Sequence, residues 1–171
     1  MKGKGIAKSE LKEFGLPAVR YGEIYTQHHF YIKKFYSFIP EEVSSKSRKL
    51  IRGDLLFTCS GENREEIGKT VAYLNEDEAY AGGDIAILRN TKEDTLFLGF
   101  LLNDEVANKQ KYRLAEGHSV VHIYPQELSE ILIPLPSIKE KKPSPPTFSP
   151  GTAPSKPSLS SSNKKSNAKN G

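Results

Sequence analysis

Apolar residues in this chain come in short runs, each closed by glycine, proline or charges, and only one stretch sustains a helical period. Residues 1–14 hold no period and read as a flexible lead-in, with one helical turn at 9–12. In GLPAVRYGEIYT, 15–26, Gly15 and Pro17 punctuate, and Val19, Tyr21 and the Ile24-Tyr25 pair predict a strand broken at Gly22. The aromatic and β-branched run 30–39 predicts a second strand or extended segment, ending at Pro40. Residues 40–50 predict a short helix: Pro40 lies near its first turn, Glu41 and Glu42 complement the dipole, and Lys46, Arg48 and Lys49 fall toward its end.

Further on, Gly53-Asp54 turns into a buried strand at 55–57, GENREEIGK at 61–69 is a polar loop, and TVAYL at 70–74 is a strand. The glycine pair of AGGDIAIL, 81–88, permits a tight turn before another apolar strand. Apolar residues at 97, 98, 101, 102 and 106 predict one helix over 95–112. Residues 117–124 alternate as a strand, and 128–136 read as a last strand closed by two prolines. The pattern predicts an α+β fold: a single compact domain with a strongly curved, mostly antiparallel sheet and a few helices, without internal repeats.

Composition adds a tail to that picture. The chain has 171 residues, 36% of them hydrophobic, enough for one domain with a core plus an appendage. Residues 139–171 hold six of the eleven prolines and a Ser/Asn/Lys-rich end, and they read as a disordered tail because they offer too little apolar surface to offset ordering. Seven Lys and one Glu give that tail +6, whereas 1–138 carry 18 basic and 20 acidic residues, or −2, so the net +4 belongs to the tail. The domain divides again: 1–69 carry 13 basic and 9 acidic residues (+4), and 70–138 carry 5 and 11 (−6). One half could therefore present a basic surface. No apolar run is long enough to cross a bilayer, the first residues lack the apolar region of a secretory signal, and one cysteine fits a reducing compartment, so a cytoplasmic protein is expected.

Catalytic and metal chemistry find little support. Gly68-Lys69-Thr70 ends like a phosphate loop, but Asn63 stands where the first glycine is needed, and Glu65 and Glu66 would repel phosphate. His28, His29, His118 and His122 lack metal-ligand spacing, and Cys59 has no local activating base and reads as a buried structural thiol. Polar, basic and aromatic residues instead gather at the ends of elements, and these are types that contact DNA: Lys and Arg for phosphates and guanine edges, Gln for adenine, Tyr and His as adaptable contacts.

The blocks GLPAVRYGEIYT (15–26), IRGDLLFTCSGENREEIGKTVAYL (51–74), AYAGGDIAIL (79–88), FLGFLLN (97–103), GHSVVHIYPQEL (117–128) and ILIPLP (131–136) resemble, in order, the target recognition domain of the specificity subunit of type I restriction-modification systems. That resemblance assigns the recognition domain to 15–138 and implies a non-catalytic protein that reads half of a bipartite double-stranded DNA target. It also implies partners: a modification subunit that methylates adenine with S-adenosylmethionine and a restriction subunit that uses ATP and Mg, with no cofactor in this chain. Gly53, Gly61, Gly82-Gly83 and Gly117 would then mark sharp turns of a scaffold, and base-reading residues belong in the loops 27–49 and 104–119. The candidates are Lys33, Lys34, Lys46, Arg48 and Lys49 for phosphates, and Gln27, His28, Arg64, Lys111, Arg113 and His118 nearer the bases.

Departures from the family pattern raise a second reading. The chain holds about one recognition domain, and prolines at 143, 145 and 146 forbid the spacer helix that usually follows, as in a half-length or truncated subunit or an out-of-frame spacer. A half-subunit could act as a homodimer. The alternative to DNA recognition is a non-functional or regulatory fragment that only binds the modification subunit.

Overall fold

The structure is a computed structural model that describes residues 1–89 and 92–135; the predicted tail, 139–171, lies outside them. Nine strands and five α-helices are assigned among the described residues. In chain order these are β1 (Leu16–Val19), α1 (Tyr21–Thr26), β2 (Ser37–Ile39), α2 (Glu41–Ser44), β3 (Arg48–Lys49), β4 (Asp54–Thr58), β5 (Ser60–Gly61) and β6 (Thr70–Ala72). They continue with β7 (Tyr80–Ala81), β8 (Ile85–Arg89), α3 (Thr95–Leu101), α4 (Glu105–Leu114), β9 (Val121–His122) and α5 (Pro125–Leu128). Residues Met1–Pro134 form one compact unit; Leu135 belongs to a second, Leu135–Gly171, otherwise outside the described residues. The expected mixture of helices and mostly antiparallel strands is present, divided into three ladders of order β2-β1-β7-β3, β6-β4-β8 and β5-β9, with only β1 and β7 parallel.

The middle ladder is the centre of the core. All five residues of β4 are buried, as expected for a strand covered on both faces. Leu56 joins Val19, Ile24, Ile32 and Tyr73 on one side, while Leu55 and Phe57 join Leu98 and Leu102 of the α3 region on the other. At the end of β4 the buried Asp54 accepts from the Arg89 guanidinium at 3.1 and 3.2 Å and from the Ile51 amide at 3.0 Å, which fixes the β4–β8 register. Gly53, with φ 96°, makes the turn before it.

Several local expectations give way to tertiary partners. The lead-in is docked: the Met1 ammonium and Gly3 amide donate to Ile87 and Ile85 carbonyls at 2.8 Å, Ile87 returns a bond to Met1, and Ile6 is buried. Residues 1–3 thereby cover the free edge of β8. The second half of the first expected strand is the helix α1, begun where Glu23 accepts from the Arg20 amide at 3.2 Å. The expected strand over 30–39 keeps only β2; Tyr31 makes an isolated parallel bridge to Ala72.

The one long helix over 95–112 is two helices. Asn103 breaks it, its amide donating to Thr70 O at 2.7 Å and Gly99 O at 2.6 Å while its oxygen accepts from the Thr70 amide at 2.9 Å, so the side chain stands in for a strand partner of β6. The final expected strand, 128–136, begins as the end of α5 and, over the described residues to 135, continues without strand pairing; Gln110 exchanges two hydrogen bonds with the Leu132 backbone, at 2.8 and 2.9 Å, in place of a ladder.

Candidate nucleic-acid interface

Between α1 and β2 the chain crosses the surface as a loop pinned from beneath. The Ala72 amide donates to Phe30 O at 2.8 Å and the Ile32 amide to Ala72 O at 3.0 Å, so residues 30–32 line the edge of β6. Ile32 is fully buried and Phe35 packs against Tyr73. Gly99 of α3 lets this happen, because a Cβ there would stand 2.8 Å from Phe30 O. Alternation between buried anchors and outward residues leaves Tyr31, Lys33, Lys34 and Tyr36 exposed on a rigid floor.

Those side chains surround a depression of about 300 Å³, together with Gln27, His28, His29 and Phe30. No carboxylate lines it, and among the described residues neither Lys33 nor Lys34 has a carboxylate within salt-bridge distance. Lys34 Nζ sits 4.7 Å over the Tyr36 ring, Phe30 packs on Phe100 with centroids 4.2 Å apart, and His28 meets Tyr36 edge-on at 5.7 Å. His28 is only 3% exposed, so it walls the depression instead of projecting from it. Burial, with smaller contributions from the Lys69 and His29 charges, pushes its pKa down to about 4, and the imidazole is neutral at physiological pH. Its Nε2 is buried and, among the described residues, has no hydrogen-bond partner.

Of the expected contacts, Gln27, His28, Lys33 and Lys34 thus converge. Lys46, Arg48 and Lys49 belong to another segment: Lys46 is exposed after α2, Arg48 Nε donates to Lys2 O at 3.4 Å, and Lys49 is paired with Glu78 at 2.8 Å. The Lys49 partner is a carboxylate that would have to be displaced by a phosphate.

Arg64 and Arg113 lie on a third surface, beside Tyr112. The Arg64 guanidinium donates to Ala115 O and stacks 5.4 Å from the Tyr112 ring centre. Tyr112 and Arg113 share an open depression of about 680 Å³ with Glu65 and Glu105, a mixed-charge setting. His118 is exposed in the turn before β9, where Gly117 takes φ 101°.

Lys111 corrects its assignment as a base contact. It is fully buried, its Nζ donating to Leu102 O, to Thr70 Oγ1 at 3.3 Å and to Asn108 Oδ1 at 3.4 Å. It ties α4 to β6 and to the end of α3, and no DNA can reach it in this conformation.

The sequence reading missed Tyr31 and Tyr36 as surface residues because their run looked like strand core. The two adjacent lysines inside that run were the available signal, since a strand buried on one face does not place two cations side by side.

Away from these surfaces, Cys59, Lys69 and His122 have partners or burial within the fold. Cys59 is buried as expected, which raises its thiol to about 11. Lys69 spends its ammonium on Tyr25 O at 3.1 Å, and burial lowers its pKa. Ser60 Oγ lies 3.0 Å from His122 Nδ1 across the β5–β9 pair. Among the described residues no group of three or more His, Cys, Asp or Glu side chains could hold a metal ion, and no helix is long and apolar enough to cross a membrane.

No protein-family model matches the chain, and no curated protein matches it in sequence. Among solved structures it is similar to the crystal structure of a type I restriction-modification system S subunit from M. genitalium, at 14% identity and a TM-score of 0.48, over 79% of this chain and 31% of that one. The chain therefore spans about a third of the length of that structure.

Proposed function

We propose that the chain is a sequence-specific double-stranded DNA-binding module with no catalytic centre of its own, acting as a recognition domain of a type I restriction-modification specificity subunit. In that role it would direct adenine methylation and DNA cleavage carried out by a modification and a restriction subunit, which would hold S-adenosylmethionine, ATP and Mg. The observation that carries the DNA-binding reading is the depression over 27–36, where Gln27, Lys33, Lys34 and exposed tyrosines meet on a pinned backbone without a carboxylate. Lysines without counter-charges release counterions when they meet phosphates, and a fixed amide and aromatic surface beside them can discriminate base edges. The ordered sequence blocks that resemble the specificity-subunit family support the narrower assignment.

Selection of duplexes from a randomised pool by the full chain tests the reading, followed by titration of the enriched duplex between 50 and 200 mM salt. Enrichment of a short motif is expected, and Lys33→Ala with Lys34→Ala should lower the salt slope by about one for each lysine. A pool that stays random overturns the function, and an unchanged slope removes this loop from the interface.

A further inference from the structure

We propose that the depression over 27–36 seats a single unpaired nucleotide, its base stacked on Tyr31 and its phosphate held by Lys33 and Lys34. The inference rests on the DNA-binding reading and names what that surface takes. At about 300 Å³ the depression stands at the lower end of small-molecule pockets, far too small for a duplex and suited to one nucleotide.

Its chemistry fits an unstacked base better than a paired one. Tyr31 is 40% exposed, its backbone is held by the bridge to Ala72, and among the described residues its ring makes no aromatic or cation contact. A free aromatic face on a fixed backbone is a stacking platform, and every base has a face to offer it once it leaves the helix. In contrast, Phe30 is engaged with Phe100, and Tyr36 with Lys34 and His28.

A second, independent observation is the buried, orphaned Nε2 of His28, a residue that lines the same depression. A buried ring nitrogen without a partner is uncommon and points to a group that the described residues do not supply. The Watson–Crick edge of an unpaired base carries both donors and acceptors, so either tautomer of the neutral imidazole would find a partner there once the ring turns its Nε2 toward the base. Gln27 lines the same space with an amide that could engage a second edge atom.

The full chain should be titrated with the duplex enriched above, with four versions carrying one bulged nucleotide (A, C, G or T), and with a 12-nucleotide oligothymidine. At least one bulged duplex is expected to bind about tenfold tighter than its perfect parent, and 2-aminopurine at the bulge should lose fluorescence on binding as it stacks. Tyr31→Ala should erase the preference and the quench, and Tyr31→Phe should keep both. Equal affinity for bulged and perfect duplexes, with no quench in the unmodified chain, overturns the proposal even if the alanine variant fails to fold. In that case motif enrichment with perfect duplex leaves the DNA-binding function standing, whereas failure to bind any duplex removes both. Oligothymidine binding equal to that of the bulged duplexes supports the nucleotide seat.

Discussion

Lys109 and Lys111 are two positions apart, and an α-helix turns them roughly 200° from one another. That rotation separates an exposed lysine paired with Glu105 at 2.5 Å from one with no exposed surface. Ala107 and Lys111 are four apart and buried together, whereas Val106, the apolar position of α4 that the period counted, is exposed, so the pattern did not mark the inward face and residue type sent Lys111 to the surface. Burial lowers the Lys111 pKa to about 7 from 10.5. Between those values the unfolded chain binds a proton that the folded chain lacks, so the Lys111 contribution to stability rises with pH across the window, by up to about 1.4 kcal/mol per unit, and is constant below it. Urea unfolding of the unmodified chain and of Lys111→Met at pH 7.5 and 9 should show a stability difference that shifts toward the unmodified chain at the higher pH. A difference independent of pH would place a proton on Lys111 throughout.

At the scale of elements, what could be read from sequence and what could not divide by the origin of the backbone's partners. β4 and β8 were legible because each is an apolar run closed by turn residues, a pattern that marks a strand before its partners are known. The break between α3 and α4 was not, because Asn103 finds its partners on β6, more than thirty residues earlier in the chain. Asn and Asp side by side at 103–104 were the local hint, being residues that favour caps over helix interiors. The loop over 27–36 was read as a loop at its polar start and misread as a strand at its aromatic end, for its shape depends on Gly99 of a later helix. Two glycines in helices accordingly respond in opposite ways to the same substitution. Gly22→Ala in α1 adds a Cβ that meets nothing within 4 Å and should stabilise by up to about 1 kcal/mol through helix propensity. Gly99→Ala meets Phe30 O at 2.8 Å and Ala72 Cβ at 3.4 Å, and overpacking of about 1–3 kcal/mol should exceed the propensity gain. Denaturant midpoints measure both, and Gly99→Ala should weaken DNA binding as well, by lifting the loop. A Gly99→Ala protein as stable as the unmodified chain would show that the loop gives way without cost.

At the scale of the molecule, folding bridges the charge split between the two halves of the domain at a few points. Lys2, Lys49 and Arg52 of the basic half pair with Asp84, Glu78 and Glu76 of the acidic half, and Arg89 crosses the other way to Asp54. The exposed pairs contribute little to stability, but each puts a carboxylate beside a cation that the sequence alone would offer to phosphate. Lys33 and Lys34 are left without such neighbours and share one depression with Gln27 and two exposed tyrosines, whereas Lys49 is paired and Lys46 and Arg48 have no such setting, which is why the candidate interface centres on the former pair. The remaining excess of charge is the +6 of residues 139–171, against −2 for residues 1–138. Sequence-independent affinity grows with the number of phosphates neutralised, while discrimination comes from contacts to bases. Ending the chain after Ile138 should therefore lower affinity for random duplex and flatten its salt dependence, and leave the ratio of motif to random binding nearly unchanged. Competition titrations at two salt concentrations separate these quantities. Loss of that ratio on truncation would move recognition out of the folded unit and into the tail, because the −2 domain would then discriminate only with the lysine-rich segment attached.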